Sequence, residues 1–541
     1  MPAAGRFGKG VVSIVTRISF LLAANLTAAI FFAPAALAEG PPSAAVTAAV
    51  DEVVERYDLP GIAVGVVVDG QVRQVELRGE VVAGGGVPIE ADTLFKVASN
   101  TKAMTAALLA RQVDAGLLAW DDPVVKHLPD FRMYEDWVTR EIQVRDLLIH
   151  NSGMGPGAGD LMLWPEPNSF TRDEVIAGLA YLKPLWSFRS RYAYDNTLYI
   201  VAGEVAAAAG GAPFDVLLRR EVFEPLGMDG CRVGEWRVDE AASVAAPHSR
   251  RDGRLVARPD GEVVADMPMA AAGGVRCGLG DMLRWVQQWL DPEAAPGWLS
   301  EAQREAVWTA HMPMPMSQRM RDWNNSHFYA YGYGWRLTDV DGTAKVSHTG
   351  TLSGMYSAVT LLPELEVGFV VLIHSNAGQA RTVLEQTLSK HFTAPEEGRG
   401  VAYYADALAQ AREAALAAGT AGLPADARAP RTAATPAALE RWLGQYRDPW
   451  FGEVSLCAAD GGVRFESVKS PRLSGPVLEA AGRLLVDFDT LGADADAWLD
   501  FSPGEDGGPV RLAMAKVDPE ADFSYDYEDL AFVRTADCGL R

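Results

Sequence analysis

Apolar and polar positions near the start of the chain predict a helix followed by a β-hairpin. Residues 44–57 show helical periodicity, which Leu59-Pro60-Gly61 ends. Apolar strand patterns then occupy 62–68 and 72–77, and the Asp-Gly pair between them is typical of a tight hairpin turn. The segment 97–110 is apolar almost throughout and predicts a helix that is buried on nearly all sides.

The order of the later elements predicts one antiparallel sheet built from two distant parts of the chain. From 117 to about 226 the pattern is mostly helical, with interruptions at proline and glycine. Strand patterns return at 332–338, 344–347, 356–362 and 366–374. Strands that open and close a domain, with helices between them, favour an α+β fold in which the helices pack on one sheet. A cleft between the sheet and the helical insertion is the expected place for a site.

The composition changes after the last of these strands. Residues 402–418 have an alanine-rich helical pattern, and 419–436 are rich in alanine, proline and glycine, as in a linker. From 437 onward, short alternating segments predominate. We therefore divide the chain into four regions: a leader at 1–38, a main domain at 39–392, a helix and linker at 393–436, and a small β domain at 437–541.

The first 38 residues are typical of a signal peptide. Three basic residues accompany an apolar run at 18–32, and Ala-Leu-Ala at 36–38 matches the cleavage pattern. A retained anchor is the alternative, because the apolar stretch approaches the ~20 residues that span a bilayer. In both cases we expect an exported protein, periplasmic or secreted, and after cleavage we expect no stable membrane span.

Charge and cysteine content limit the partners and the compartment. A net charge of −23 repels nucleic acid, so we expect a small-molecule or short-peptide substrate and no nucleic-acid partner. The eight histidines show no metal-binding spacing, so the sequence gives no support for a metal site. Three disulfide pairings are possible among Cys231, Cys277, Cys457 and Cys538. Cys457 and Cys538 fall near the two ends of the predicted β domain, which favours that pair.

Ser99 and Lys102 are the first candidate catalytic residues. Lys102 is the only charge in the apolar segment 97–110, and on a helix it lies one turn above Ser99 on the same face. A serine hydroxyl needs a base to become a good nucleophile, and burial lowers the pKa of a lysine so that its amine can serve. Backbone N–H groups at the helix start would suit a developing oxyanion. The alternative is an ordinary serine near a helix start, with a lysine that reaches to water.

Two further segments carry side chains suited to the same chemistry. Tyr194 and Asn196 are two residues apart, so an extended loop would point a phenol and an amide to one side. A predicted strand carries His348, Thr349 and Gly350, and the glycine permits close backbone approach. Each segment also has a purely structural explanation: an Asx-type turn before a helix, and a strand that ends in a glycine bulge.

In combination, S-x-x-K, Y-x-N about ninety residues later and H-T-G near the end of the sheet resemble the ordered signature of the β-lactamase-related serine hydrolases. The segments "PGIAVGVVVDGQV", "VRDLLIHNSGM" and "FEPLGM" are similar to those of the branch that holds class C β-lactamases, D,D-carboxypeptidases, D-aminopeptidases and related esterases. The resemblance covers 44–392 and implies an antiparallel sheet flanked by helices, with a helical subdomain. The C-terminal segment resembles the small β-barrel-like domain that is appended to many such hydrolases.

The resemblance implies a role for each candidate. Three residues would be catalytic: Ser99, Lys102 and Tyr194. Four would bind substrate: Asn196, His348, Thr349 and Gly350. Two would give backbone N–H groups to an oxyanion hole: Ser99 and Thr351. No metal or organic cofactor is implied.

His348 departs from the pattern of the β-lactamases of this fold, which usually have a lysine there. A histidine is mostly neutral at neutral pH and grips a substrate carboxylate less well. This leans towards a peptidase on D-amino-acid amides or an esterase. We predict an exported serine hydrolase that cleaves a peptide with D-amino acids, a β-lactam or an ester through a Ser99 acyl-enzyme. The alternative is a protein of the same fold that binds penicillin or cell-wall peptides without turnover.

The sequence leaves several properties open. Nothing in 437–541 indicates a site, so the role of the C-terminal domain is not predicted. The exact substrate and the oligomeric state are not predicted either.

Overall fold

The computed structural model describes residues 43–251, 253–488, 493–504 and 508–539. The predicted leader at 1–38 lies outside the described residues. The first elements are the helix Ser43–Tyr57 and the hairpin strands Gly61–Val68 and Gln71–Gly79, as predicted. Every residue of Gly61–Val68 is buried, which explains why its sequence is continuously apolar instead of alternating.

Within the described residues, the main sheet has eight antiparallel strands and joins the two ends of the main domain. The first hairpin pairs with a late strand, so that Val64 lies opposite Val371. In spatial order the strands are Gln71–Gly79, Gly61–Val68, Val367–Ile373, Met355–Leu362, Thr343–Leu352, Arg336–Val340, Tyr329–Tyr331 and Met312–Pro313. The predicted antiparallel sheet of an α+β fold is confirmed.

The strand predicted over 332–338 is wrong in its first half. Tyr329–Tyr331 and Arg336–Val340 form a hairpin, and the residues between them turn at Gly334, which has a φ of 74°. A Cβ at Gly334 would lie 2.6 Å from the carbonyl oxygen of Lys102. The turn therefore packs directly on the helix that follows Ser99, a contact that apolar periodicity cannot reveal.

Helices cover both faces of the sheet. On one face, Ser43–Tyr57, Gly378–Thr393 and Val401–Ala417 enclose a core with the buried sheet residues Val64 and Phe369. On the other face, Leu279–Leu290 packs on the first strand, where a Cβ at Gly65 would lie 2.7 Å from Leu283. Beyond that helix lie the two central helices Thr101–Asp114 and Thr197–Gly210. The further α-helices of this domain are Val124–His127, Asp136–Glu141, Arg172–Gly178, Phe214–Leu218, Ala270–Gly273, Glu301–Trp308 and Gln318–Asn324.

The C-terminal region is a closed barrel of eight strands within the described residues. The strands are Gly444–Asp448, Gly452–Ala459, Gly462–Ser467, Ser474–Ala480, Arg483–Val486, Ala497–Ser502, Arg511–Lys516 and Ala531–Ala536. Alternate residues such as Val454 and Leu456 point into its core, as the two-residue period predicts. The barrel completes the predicted fold class.

Two disulfides link the four cysteines. Cys457 pairs with Cys538, the pair that the sequence favoured, and Cys231 pairs with Cys277. The first disulfide ties a barrel strand to the end of the described chain. The second ties a helical-domain loop to the strand Arg276–Cys277, which pairs with Phe95–Lys96 just before Ser99.

Removal of the barrel disulfide is expected to destabilise the barrel. Cys457 and Cys538 are 81 residues apart, and a cross-link that closes a loop of this size stabilises a fold by about 4.5 kcal/mol in the chain-entropy model. The double variant Cys457→Ala/Cys538→Ala should lower the unfolding temperature of the barrel in calorimetry. An unchanged transition would show that the disulfide adds nothing to barrel stability.

One bent pair of helices, Thr197–Gly210 with Phe214–Leu226, has the length and composition of a broken membrane span. Its two parts meet at 76°, and residues such as Tyr199 and Val201 in the first part are fully buried within the fold. Among the described residues, no single helix is both long and apolar enough to cross a membrane.

Candidate active site

Ser99 lies in a tight turn that leads into the helix Thr101–Asp114. The preceding residue, Ala98, is buried and has a left-handed backbone conformation with a φ of 50°, which is strained for a residue with a Cβ. The Asn100 side-chain amide donates to Ser357 Oγ on the main sheet over 2.8 Å and ties the turn to that sheet. The Ser99 hydroxyl is thus presented at the cavity edge on a fixed turn.

The Lys102 side chain is fully buried and its amine is directed at Ser99. Lys102 Nζ lies 3.2 Å from Ser99 Oγ, and it donates to Asn196 Oδ1 (2.7 Å) and to the Ala272 carbonyl (2.9 Å). Burial lowers the pKa of Lys102 to about 7, although the Asp160 carboxyl acts in the opposite direction. A large fraction of the amine is therefore unprotonated at neutral pH and can accept a proton from Ser99.

Tyr194 is the second group on Ser99 Oγ. Its hydroxyl lies 2.9 Å from that oxygen, and Lys102 Nζ lies 4.9 Å from the centre of its ring. The His150 ring packs beside it at 4.2 Å and fixes its orientation. Burial raises the pKa of Tyr194, so the phenol keeps its proton at neutral pH. Lys102 is therefore suited to accept a proton, and Tyr194 is suited to donate one.

His348, which the sequence predicts to bind substrate, is fully buried in the structure. Its exposed fraction is 0%, so the side chain cannot touch a ligand in this conformation. Because a carbonyl oxygen can only accept, His348 Nδ1 donates to the Thr349 carbonyl (2.9 Å), and Nε2 accepts from the Tyr331 hydroxyl (2.8 Å). Burial and the nearby Arg336 lower the pKa of His348 well below its usual value, which keeps it neutral. The His348 ring thus makes hydrogen bonds within the protein and helps to hold the strand Thr343–Leu352 in place.

Gly350 also acts on the protein itself. A Cβ at this position would overlap the carbonyl oxygen of Val97 and the hydroxyl of Ser357. The close backbone approach that the sequence predicted is therefore an approach to the turn that carries Ser99. Thr349 and Thr351, the residues on either side, line the cavity.

Arg336 is a candidate that the sequence analysis missed. It lies on the strand next to Thr343–Leu352, lines the cavity, and donates from Nη1 to Thr349 Oγ1 over 2.5 Å. A guanidinium stays charged at any physiological pH, so it supplies the permanent cation that a neutral His348 cannot. The strand register, in which Arg336 lies opposite Ser347, is the signal that could have placed it beside the H-T-G segment.

The barrel contributes a wall of the same cavity, which the sequence analysis also missed. The cavity has a volume of about 870 Å³, and Ser99, Tyr194 and Asn196 line one side of it. The lining also includes residues of the loop 517–526, which we call the barrel loop, between the last two barrel strands. The Phe523 ring of this loop lies 5.7 Å from the Tyr194 ring. No sequence signal connects residues more than 300 positions apart in this way.

The cavity is lined by side chains of both charges. Cations include Lys96, Arg258 and Arg336, and acids include Glu166 and Asp522. Within the described ranges, no group of three or more His, Cys, Asp or Glu side chains is arranged to hold a metal ion. The chemistry that these residues can carry out is proton transfer at a serine hydroxyl next to a charged pocket.

Comparison with known proteins places this geometry in a family. Residues 46–387 match the family described as Beta-lactamase. The chain is 26% identical over 348 residues to the unguisins hydrolase ungD of Aspergillus violaceofuscus, and the match spans 60% of each chain. It is 26% identical to the D-alanyl-D-alanine-carboxypeptidase/endopeptidase AmpH of Escherichia coli over 327 residues, 57% of this chain and 78% of that one.

A solved structure resembles most of the chain. The octameric penicillin-binding protein homologue from Pyrococcus abyssi aligns with a TM-score of 0.56 and 18% sequence identity, covering 90% of this chain and 99% of that chain. This likeness concerns the fold. The family match covers more than half of the chain, and the relatives of the chain include proteins named as hydrolases. With a serine, a lysine and a tyrosine in mutual contact at the cavity edge, the chain belongs to the β-lactamase family of serine hydrolases.

Proposed function

We propose that this hydrolase cleaves an amide or ester bond through an acyl-enzyme on Ser99, and that its substrates carry a free carboxylate close to the scissile bond. The observation that supports the first part is the position of Ser99 Oγ, 3.2 Å from the Lys102 amine and 2.9 Å from the Tyr194 hydroxyl. The second part rests on Arg336 and Thr349, which share a hydrogen bond on the cavity wall.

The acylation step follows from the two pKa directions. The neutral Lys102 amine accepts the proton of Ser99 while Oγ attacks the substrate carbonyl carbon. The oxyanion is held by the backbone N–H groups of Ser99 and Thr351, each of which is worth about 3 kcal/mol in comparable sites. The Tyr194 phenol gives its proton to the leaving nitrogen or oxygen, and the Lys102 ammonium returns a proton to Tyr194. The carbon–leaving-group bond then breaks, and an ester to Ser99 remains.

Deacylation reverses these roles with water as the nucleophile. Water attacks the ester carbon and transfers its proton through Tyr194 and Lys102 to Ser99 Oγ, which leaves as the hydroxyl. The product is a carboxylic acid, and the free enzyme is restored. Asn196, which accepts from Lys102, keeps the amine in place through both steps.

Arg336 is the group best placed to recognise a substrate anion. Its guanidinium lines the cavity and stays charged, and Thr349 adds a hydroxyl at hydrogen-bond distance. A carboxylate bound by both would lie on the same strand edge as the predicted oxyanion donor Thr351. This arrangement favours peptides or β-lactams with a free carboxylate over neutral esters.

We also propose that the protein works outside the cytoplasm. The sequence of 1–38 is typical of a signal peptide, and the two disulfides suit an oxidising compartment. Intact-mass measurement of the secreted protein after expression with its leader would test this: a chain that begins at residue 39 is expected, and a full-length chain retained in the cells would contradict it.

The acyl-enzyme is tested by following the intact mass of the protein mixed with a penicillin. An adduct on Ser99 that forms and decays as penicillin is hydrolysed supports the proposal. A lasting adduct without product would instead favour the binding protein without turnover. Intact penicillin and no label from a fluorophosphonate, which reacts with activated serines, would contradict the acyl-enzyme itself.

Arg336→Gln is expected to discriminate between charged and neutral substrates. Hydrogen bonds to a charged partner contribute about 1.5–3 kcal/mol, so KM for an N-acyl dipeptide of D-amino acids with a free carboxylate should rise about 10- to 100-fold. KM for the same dipeptide as its C-terminal amide should change little. Steady-state kinetics on the matched pair measures both.

Two further variants complete that experiment. Arg336→Lys keeps the charge but loses the planar fork, so an intermediate KM is expected. Arg219→Gln, at an exposed arginine remote from the cavity lining, is the matched control. Equal losses on the acid and the amide in Arg336→Gln would refute carboxylate recognition and leave the Ser99 chemistry intact.

A further inference from the structure

A continuous set of hydrogen bonds runs from the barrel to the nucleophile. Ser524 Oγ, on the barrel loop, donates to Asp160 Oδ2 over 2.8 Å. Asn196 Nδ2 donates to the same oxygen, also over 2.8 Å. Asn196 Oδ1 in turn accepts from Lys102 Nζ (2.7 Å), which lies 3.2 Å from Ser99 Oγ. Four side-chain contacts thus connect the barrel loop to the Ser99 hydroxyl.

The barrel loop is held on the main domain by contacts on both sides of Ser524. The Asp526 carboxylate accepts from the backbone N–H of Gly159 (2.7 Å) and of Leu161 (3.0 Å), the two neighbours of Asp160. Gly157 has a φ of 74°, and a Cβ there would lie 2.7 Å from the carbonyl oxygen of Phe523. The position of Ser524 relative to Asp160 is therefore set by well-packed contacts, several of which involve backbone atoms.

The orientation of the Asp160 carboxyl group depends on its hydrogen bonds from Asn196 and Ser524. Its side chain is fully buried, and its other oxygen, Oδ1, has no hydrogen-bond partner among the described residues. Within the part of the chain that the structure describes, Asn196 and Ser524 are therefore the side chains that orient this carboxyl group by hydrogen bonds. Without Ser524, this buried carboxyl group would keep only its hydrogen bond from the Asn196 amide. That amide, in turn, depends on the carboxyl group for its own orientation.

We infer that Ser524 and Asp160 are positioning residues for catalysis, and that the barrel is part of the catalytic apparatus because it holds Asn196, and through it Lys102, against Ser99. The inference rests on the proposed function, since it assumes that Lys102 serves Ser99. It assigns to the C-terminal domain a role that its sequence does not indicate. Neither Ser524 nor Asp160 is assigned a contact with the reacting atoms.

The hydrogen bond from Ser524 to Asp160 should also change the pKa of Lys102, which can be measured. Burial raises the pKa of Asp160, and the hydrogen bonds from Ser524 and Asn196 act in the opposite direction by stabilising the carboxylate. The carboxylate in turn raises the pKa of Lys102, against the lowering by burial. Loss of Ser524 should therefore make Asp160 harder to ionise and move the Lys102 titration to lower pH.

Other charged and titratable groups also face this pair and stay unchanged in such a variant. Those around Lys102 are Asp195, Arg336, His150, His348, Tyr194 and Tyr199. Those around Asp160 are Asp522, Asp526 and Tyr194. A shift of the Lys102 midpoint in Ser524→Ala would thus report the Ser524–Asp160 hydrogen bond.

The test compares Ser524→Ala with Ser502→Ala, an exposed serine on a barrel strand. The Lys102 titration is followed by NMR of lysine labelled at Nζ, with Lys102→Met to assign the resonance. A lower midpoint is expected in Ser524→Ala and an unchanged midpoint in Ser502→Ala. The rate of fluorophosphonate labelling at its high-pH plateau should fall about 3- to 10-fold in Ser524→Ala, as expected for the loss of one hydrogen bond.

Two more variants separate positioning from folding. Ser524→Thr keeps the hydroxyl and should restore both the midpoint and the labelling rate, whereas Asp160→Asn should lower the midpoint further. An unchanged midpoint together with an unchanged labelling rate in Ser524→Ala would overturn the inference. A wild-type protein that is not labelled, but whose Lys102 midpoint still moves in Ser524→Ala, would refute the proposed function and leave the hydrogen-bond link standing.

Discussion

Ser99→Ala is expected to lower kcat/KM by about 10⁵-fold or more, because removal of a nucleophile leaves only binding and oxyanion stabilisation. The loss should appear in kcat, because Ser99→Ala removes one hydroxyl and leaves the other side chains of the cavity in place to bind substrate. Covalent labelling by a fluorophosphonate should disappear in the same variant. Hydrolysis of a chromogenic ester and intact mass after labelling measure the two effects on one sample.

The control for this variant is Ser502→Ala, on the outside of the barrel, which should keep full activity and full labelling. Thermal unfolding should change little in Ser99→Ala, because the hydroxyl contacts only the Lys102 amine and the Tyr194 hydroxyl, whereas the Asn100–Ser357 hydrogen bond that ties the turn to the sheet remains. Undiminished labelling of Ser99→Ala would mean that another residue is the nucleophile.

Lys102→Met should reduce the acylation rate on the order of 10³- to 10⁴-fold, because the variant removes the proton acceptor and keeps the apolar stem. In the wild-type protein the rate should rise with pH through the Lys102 pKa of about 7, since only the neutral amine accepts the proton. Below that pH the ammonium predominates and the rate should fall tenfold per pH unit. Single-turnover acylation measured from pH 5 to 9 gives the profile.

Two comparisons make this prediction specific. Lys102→Arg should be as inactive as Lys102→Met, because a guanidinium keeps its proton across the same range. Lys126→Met, at an exposed lysine that pairs with Asp122, should leave both the rate and the profile unchanged. A rising limb that persists near pH 7 in Lys102→Met would assign the proton acceptor to another group.

Local spacing predicted the contacts that lie within one element. Ser99 and Lys102 are three residues apart, so the helix alone brings them together. Tyr194 and Asn196 alternate along an extended segment, and both face the same site. These contacts follow from backbone geometry, which a short sequence segment determines.

Contacts that depend on strand pairing could not be predicted in the same way. The apolar pattern predicts a single strand over 332–338, whereas a turn at Gly334 precedes a new strand that begins at Arg336. Without that turn, the register that sets Arg336 beside Thr349 is not visible. His348 likewise has the residue type of a ligand group, and its burial follows only from its contact with Tyr331 on a neighbouring hairpin.

The wall formed by the barrel loop was least accessible to sequence reasoning. Ser524 reaches Asp160 across 364 residues, and neither side chain belongs to a recognisable motif. Asp526 accepts hydrogen bonds from backbone N–H groups of the main domain. In the sequence alone, the segment around Asp526 looks like an ordinary acidic loop. Domain docking depends on the shape of two folded surfaces, which the apolar pattern of either one does not encode.

Because the cavity beside Ser99 is lined by both the main domain and the barrel, the gene encodes its lining in two pieces separated by the alanine- and proline-rich linker at 419–436. A genetic crossover within that linker would exchange one wall of the pocket as a block while leaving Ser99, Lys102 and Tyr194 untouched. A relative that lacks a small residue at the position of Gly157 could not accept the incoming loop, since the Phe523 backbone would collide with it. Gly157 thus limits which barrel loops can dock beside this cavity.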